Sequence, residues 1–358
     1  MTLILSNEDV ERVLTMQDSL KAMEITFTDY AAAKAVNRPR SHTYTPLDED
    51  GKFYCFKSMD GAVARLGVHA LRITSDILAD TVVQGTKRFE KLALGPGKKR
   101  LGLVLLFSLR SADLLAIMQD DYLQRMRVGA TSGLAAKSLS REDSQIVGMF
   151  GTGWQAGAQI MALCAVRNIK LIKVFSPTPE RKKKFSIEWA EKLGVDVNAV
   201  DDPSEVVRGS DIVVAATNSL EAVFSGDWLE AGQHVNSLQA AELDSKTLER
   251  AEIIAIRAKE QSTFWTMGER MPSQMAAHHK YDLTIEPKLR ELGAILIGKV
   301  PGRTNKKQIT LFGGSGTGPS SGLGIQFAAI GAMIYEAAKR EHLGREIPDD
   351  WFISKATE

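Results

Sequence analysis

The stretch Gly148–Gln159, GMFGTGWQAGAQ, spaces Gly151, Gly153 and Ala156 as G-x-G-x-x-A. The apolar run QIVGMF leads into it, and WQAGAQIMALCAVRN continues it with helical spacing. A strand, a glycine turn and a helix in that order predict a dinucleotide-binding unit. Gly151 permits the tight turn, Gly153 lets a pyrophosphate approach the backbone, and Ala156 lets the helix sit close to its sheet. Thr152, Trp154 and Gln155 complete the loop. The helix start behind it offers N–H groups and a positive dipole to phosphate.

Working outward, short apolar runs alternate with polar helical stretches. KLIKVF, VNAV, DIVVAAT, QHVNSL and EIIAIR read as strands; PERKKKFSIEWAEKLG and DPSEVVRGS lie between them. This βαβ rhythm predicts an α/β fold with a Rossmann-type, doubly wound parallel sheet. The first third of the chain has a different texture. A leading helix, NEDVERVLTMQDSLKAMEITFTDYAAAKA, precedes longer, partly antiparallel strands: KFYCFKSM, VHALRITS and RLGLVLLFSL. LGPGKKR reads as a hairpin turn with a solvated basic tip at Lys98, Lys99 and Arg100. LGIQFAAIGAMIYEAAKREHLGREI, after the loop GGSGTGPSSG, reads as a helix that packs back on the first part. The expected division is a discontinuous α+β domain, 1–125 with 315–358, around a nucleotide-binding domain, 126–314.

The end of the second strand selects the cofactor. NAD-preferring folds usually carry an acid there for the ribose 2′-hydroxyl. Here VFSPTPERKKKF puts Ser176 at that place, with Thr178 and Arg181 behind it. Hydroxyls and an arginine suit a 2′-phosphate, so NADP is the expected cofactor, with NAD also allowed. The lysines after Arg181 read as solvent-facing. Later strand ends bring Thr217, Ser237 and Leu238 to the same carboxyl edge, where ligands bind in such sheets.

The helix YLQRMRVGATSGLAAKSL, Tyr122–Leu139, holds a charge that its pattern does not explain. Helical steps from Leu123 put Arg127, Ala130 and Leu134 on one stripe. A cation on such a stripe is costly unless an anion meets it. Arg125 points elsewhere and reads as unremarkable. Arg72 shares a strand face with Val68 and Ala70, so it too needs an anion, whereas His69 lies on the opposite face and reads as packed.

Composition excludes several classes. Lys and Arg number 45 against 44 Asp and Glu, which leaves no footprint for nucleic acid or an anionic membrane. The two cysteines, Cys55 and Cys164, lack metal-ligand spacing and fit a reducing, cytoplasmic setting. No apolar run is long enough to span a bilayer. The adjacent His278 and His279 read as a surface loop, and the glycine-rich loop lacks the lysine and hydroxyl of a triphosphate-binding motif.

An arginine-bearing helix ending in LAAK, followed closely by GTGWQA, resembles the ornithine cyclodeaminase/mu-crystallin family. QITLFGGSG and HLGREI are similar to that family's closing segment. The resemblance implies a homodimer with a Rossmann domain and a discontinuous substrate-binding and dimerisation domain. It implies that Arg127 grips a substrate carboxylate with Arg40, and that Arg72 stands where many members carry an active-site lysine. Cyclodeaminases carry an aspartate after the strand corresponding to HVNSL. Here Gln239, Ala240 and Ala241 occupy that region, and Glu242 and Asp244 follow. The implied function is therefore an NAD(P)H-dependent oxidoreductase. It would reduce a C=N bond beside a carboxylate, or run in reverse as an amino-acid dehydrogenase. The alternatives are a cyclodeaminase lyase using NAD catalytically and a non-enzymatic, crystallin-like small-ligand binder. Either Ser315 or Ser321 is expected to face the nicotinamide.

Overall fold

In the computed structural model, the described residues are 1–47, 51–83, 85–92, 101–259, 262–267, 283–313 and 322–354. The first unit is a ten-stranded sheet. It contains β1 (Thr2–Leu5), β2 (Ala35–Asn37), β3 (Ser41–Pro46), β4 (Lys52–Val63), β5 (Val68–Val83), β6 (Thr86–Leu92), β7 (Leu101–Ser108) and β8 (Leu114–Gln119). The parallel unit contributes β9 (Ile146–Phe150), β10 (Leu171–Phe175), β11 (Asp196–Ala199), β12 (Ile212–Ala215), β13 (His234–Ser237) and β14 (Ile253–Ile256). Four short strands complete the pair: β15 (Thr263–Thr266), β16 (Leu289–Glu291), β17 (Thr310–Phe312) and β18 (Arg345–Ile347).

The second sheet runs β11-β10-β9-β12-β13-β17-β14-β16, with every pairing parallel. β12, β13 and β14 are buried at every position, as a sheet covered on both faces requires. The order reverses at β9, so the crevice opens at the carboxyl end of that strand, beside the glycine turn. The first sheet is largely antiparallel around β3-β4-β5-β7-β8. β4 alternates strictly between half-buried and buried positions. The α/β class, with a Rossmann-type sheet and a second α+β unit, is therefore as the pattern predicts.

Several boundaries differ from the sequence expectation. The single leading helix is two, α1 (Asn7–Val13) and α2 (Met16–Ala31). Thr15 breaks it by accepting from the Asp18 N–H as a new N-cap. The closing helix, Gly324–Arg340, stops before HLGREI, where His342 and Gly344 take positive φ. The chain then turns back and β18 pairs antiparallel with β1. β15, although within 126–314, adds to β3 of the first sheet. The proposed hairpin tip at Lys98–Arg100 lies outside the described residues.

Five further helices join the two sheets: α3 (Asp121–Leu139), α4 (Trp154–Val166), α5 (Pro179–Leu193), α6 (Pro203–Val207) and α7 (Ser245–Arg250). α8 (Leu292–Leu296) is a short one, and α9 is Gly324–Arg340. α3 is buried on every side from Met126 to Ala136, so the stripe through Leu123 is only part of its buried surface. It packs on α4 through small residues. A Cβ at Gly129 would lie 2.4 Å from the Ala158 carbonyl oxygen, and one at Gly133 would lie 2.9 Å from Ala162 Cβ. α9 crosses β4 as closely, with Gly324 against the Asp60 backbone.

Candidate active site

The glycine loop has the shape that a dinucleotide needs. Gly151 has φ +105°, and a Cβ there would meet the Ala216 carbonyl oxygen at 2.4 Å. Gly153 is the N-cap of α4, and a Cβ there would meet nothing within 4 Å. The first glycine is thus demanded by the fold, and the second leaves open space above the helix start. Ala156 is fully buried, and its N–H donates to the Gly153 carbonyl. Gly157 packs tightly against Trp189, where a Cβ would lie 2.0 Å from the indole ring. Gln155 keeps a buried side-chain oxygen without a partner among the described residues. Thr152 is half-buried and Trp154 exposed at the loop's rim.

Arg125 requires the explanation that its pattern did not suggest. Its guanidinium lies 5.8 Å from the Trp154 ring centre and 5.7 Å from that of Trp189. It braces the loop's tryptophan against α5 through cation–π contacts. At the β10 end, Ser176 is buried and Thr178 is the N-cap of α5, with Arg181 exposed in its first turn. Lys182 is not solvent-facing: it is buried, donates to the Val200 carbonyl and Asp201, and lies over Phe175.

Thr217 and Ser237 reach the carboxyl edge, but the Thr217 hydroxyl donates to Glu242 at 2.7 Å, and that of Ser237 donates to the Gln239 carbonyl at 2.6 Å, with Glu242 3.3 Å away. The same carboxylate accepts from the Thr217 and Gln239 backbone N–H groups. Burial raises the Glu242 carboxyl above its usual range, against those hydrogen bonds. Glu242 therefore ties the loops after β12 and β13 together. Sequence reading passed it over because only the fold brings residue 217 to it. Leu238 is buried, and its N–H donates to the Ala215 carbonyl. Ser315, Ser321, His278 and His279 lie outside the described residues.

The three arginines come from separate segments. Arg127 is fully buried on α3 and donates its Nε–H to Gln124 at 3.1 Å. Arg72, on the buried face of β5, finds an internal anion: its Nε–H donates to Asp120 at 2.6 Å. Asp120 sits just before α3, against Gly102, where a Cβ would collide with its carboxylate. Arg40 lies between β2 and β3, with a buried Nε that has no partner among the described residues. Phe327 of α9 links two of them, its ring 5.2 Å from the Arg72 guanidinium and 5.4 Å from that of Arg127.

Electrostatics places these groups in one field. Burial pushes Arg127 well below the usual arginine range, and the like charges of Arg72, Arg40 and Arg257 push it further; Asp120 opposes. Burial likewise brings Arg40 to about 10, with Arg72 again adding to the shift. Arg257, which follows β14 and is buried, was missed in the sequence. Its signal was a cation directly after four apolar residues, at a carboxyl strand end. Lys57 was missed too: it faces inward on β4, 7% exposed. Several guanidinium groups sharing a buried site suit an anionic ligand. His69, half-exposed, instead faces Asp60 at 3.4 Å.

The chain compares closely with known proteins. The ornithine cyclodeaminase/mu-crystallin family profile matches residues 1–342. A Δ1-pyrroline-2-carboxylate reductase of Bacillus cereus is 27% identical over 351 residues, 96% of this chain and 99% of that protein. Among solved structures, Thermococcus litoralis Δ1-pyrroline-2-carboxylate reductase in complex with NADH and L-proline superposes with a TM-score of 0.75 at 28% identity. That match covers 97% of this chain and all of the other. An archaeal alanine dehydrogenase dimer with bound NAD gives 0.74 at 25% identity, covering 97% and 99%. With a profile match running through the glycine loop, the arginine helix and α9, the chain belongs to the ornithine cyclodeaminase/mu-crystallin family.

Proposed function

We propose that the protein is an NAD(P)H-dependent oxidoreductase that reduces a C=N bond adjacent to a carboxylate, or oxidises the corresponding amino acid. The observation that carries this is the gathering of Arg127, Arg72 and Arg40 in one buried field, two of them over the Phe327 ring, with Arg127 on the helix that packs against the dinucleotide helix. Both pyrroline-2-carboxylate reductases named above act, by name, on a carboxylate-bearing imine.

The nicotinamide, when bound, supplies a hydride to the imine carbon and is itself oxidised. On the protonated imine the electron pair of the C=N bond passes to nitrogen, which gives the amine without a further proton. The chain's residues orient the reaction. Arg127, with Arg72 and Arg40, holds the carboxylate through charge-assisted hydrogen bonds, which fixes the imine carbon in place. Gly151–Ala156 and the α4 N-terminus hold the pyrophosphate, while Thr217 and Ser237, both beside Glu242, shape the floor together with Leu238. Ser176, Thr178 and Arg181 favour a 2′-phosphate, and hence NADP over NAD. A cyclodeaminase is disfavoured because Gln239–Ala241 supply no carboxylate where the family's lyases carry an aspartate.

We also propose a cytoplasmic homodimer. No described helix is long and apolar enough to cross a membrane. The outward face of the first sheet carries Phe56, Leu71, Ile73, Leu103, Leu105 and Ile117, all only half-buried. An antiparallel sheet facing water would alternate polar residues there, so this face suits a second copy.

The test is nicotinamide absorbance with cyclic imino acids, and with 2-oxo acids plus ammonium, using NADPH and NADH in parallel. Stoichiometric oxidation with an imine is expected, faster with NADPH. Ammonia release from ornithine without net nicotinamide turnover would establish the lyase instead, and binding without turnover the crystallin-like role.

A further inference from the structure

A second cationic pole lies one pleat away from Arg72. On the buried face of β5, Arg72 is followed by Thr74 and Asp76; β4 sets Met59 opposite Arg72 and Lys57 opposite Thr74. Lys57 and Lys91 both reach the same Asp76 oxygen, at 3.4 and 3.0 Å. Asp76 is 3% exposed, Lys57 9% and Lys91 37% by side chain, so the cluster runs from the interior towards the surface. Burial lowers Lys57 to about 8, and Lys91 and Arg40 push in the same direction. Burial raises the Asp76 carboxyl, but Lys57 and Lys91 more than offset this, so it is held below its usual value and stays charged.

Two cations, Lys57 and Lys91, thus share one carboxylate, and the charge of Arg40 acts on the same Lys57. Arg40 Nε and Thr74 Oγ1 are buried there without a hydrogen-bond partner among the described residues. A self-contained structural ion cluster would carry matching acids and satisfied donors. A carboxylate bound by Arg127, Arg72 and Arg40 leaves Thr74 and the two ammonium groups on Asp76 unanswered.

We infer that the substrate carries a second carboxylate, which Lys57 binds with Thr74, so that the enzyme prefers 2-imino dicarboxylates over monocarboxylates. The inference rests on the imine-reductase reading above and names the substrate class of that site. The two poles are one strand repeat apart, about 7 Å, a span that suits a four- or five-carbon dicarboxylate. Lys57 contributes a compact ammonium and Thr74 a hydroxyl donor.

The test uses the full chain with reduced nicotinamide and compares oxaloacetate and 2-oxoglutarate, each with ammonium, against pyruvate with ammonium and Δ1-pyrroline-2-carboxylate. The better dicarboxylate is expected to exceed both monocarboxylates in kcat/KM by about tenfold or more, as one added charge-assisted contact implies. Lys57→Gln should lower dicarboxylate kcat/KM about 10- to 100-fold, mainly through KM. It should affect monocarboxylates less, and Lys57→Arg should restore part of the loss. Product inhibition of the unaltered enzyme gives a reading that needs no variant: aspartate or glutamate should inhibit at lower concentration than alanine. Equal or better use of monocarboxylates, with equal product inhibition, overturns the inference and leaves the imine-reductase reading intact. If no imine is reduced at all, that reading fails first and this inference fails with it.

Discussion

Arg127 illustrates how a single side chain reports on function. A guanidinium with no exposed surface, held down by burial and by three other arginines, is a poor choice for stability alone. Arg127→Met should therefore lower kcat/KM for the preferred imine about 10- to 100-fold while leaving nicotinamide affinity little changed, as fluorescence titration and steady-state rates would show. His234 acts on stability instead. It is fully buried, bonded to the Thr310 hydroxyl and the Asn236 side chain, and burial lowers it to about 3. Because the unfolded chain binds this proton first, stability is present above the unfolded value of 6.5 and falls as pH drops through it towards 3. From pH 6.5 to 5 the loss should be about 2 kcal/mol, read as urea midpoints and smaller in His234→Gln. Arg127 and Arg72 were legible in the sequence because each sits on an apolar stripe. Arg257 was not, because a short strand gives no sign of which of its ends faces a ligand, nor was Lys57, because both faces of KFYCFKSM carry apolar residues and the pattern does not say which face is buried.

The helix pair α3 and α4 shows the same division for elements. Its small residues announce close packing in the sequence, and Gly129 against Ala158 makes it literal. Gly129→Val should overpack this contact and cost about 1–3 kcal/mol of unfolding free energy, measured by urea denaturation. The glycine loop separates fold from function more sharply. Gly151→Ala should destabilise the protein, given its φ of +105° and the Ala216 carbonyl beside it. Gly153→Ala has an ordinary φ of −81° and open space, so the urea midpoint should hold while the nicotinamide Kd rises about tenfold. The α2 break at Thr15 and the β18 return were missed for a common reason. Capping and positive-φ residues act locally, whereas the hydrophobic period runs on through them.

For the molecule as a unit, the first sheet serves two surfaces at once. Its inner face changes from an apolar seat for α9, at Met59 and Val63, to the cationic floor at Arg72 and Lys57. Its outer face keeps cross-strand apolar neighbours, Leu71 with Leu105 and Leu105 with Ile117. Leu105→Lys should shift sedimentation from a dimer towards a monomer, because a charge would be buried in the centre of that face. Unchanged sedimentation would mean that the copies meet elsewhere or not at all.

Read alone, the chain specifies the parallel sheet, the glycine loop and the arginine on α3. These depend on local period and turn chemistry, which a linear pattern carries. Tertiary structure decides the rest. It brings Asp120 onto Arg72, sets Phe327 against two guanidinium groups, brings Glu242 to Thr217, and sets Lys57 and Lys91 on one oxygen of Asp76. Each of these pairings joins residues distant in sequence or on different strands, so its energy depends on register and burial that no single segment encodes.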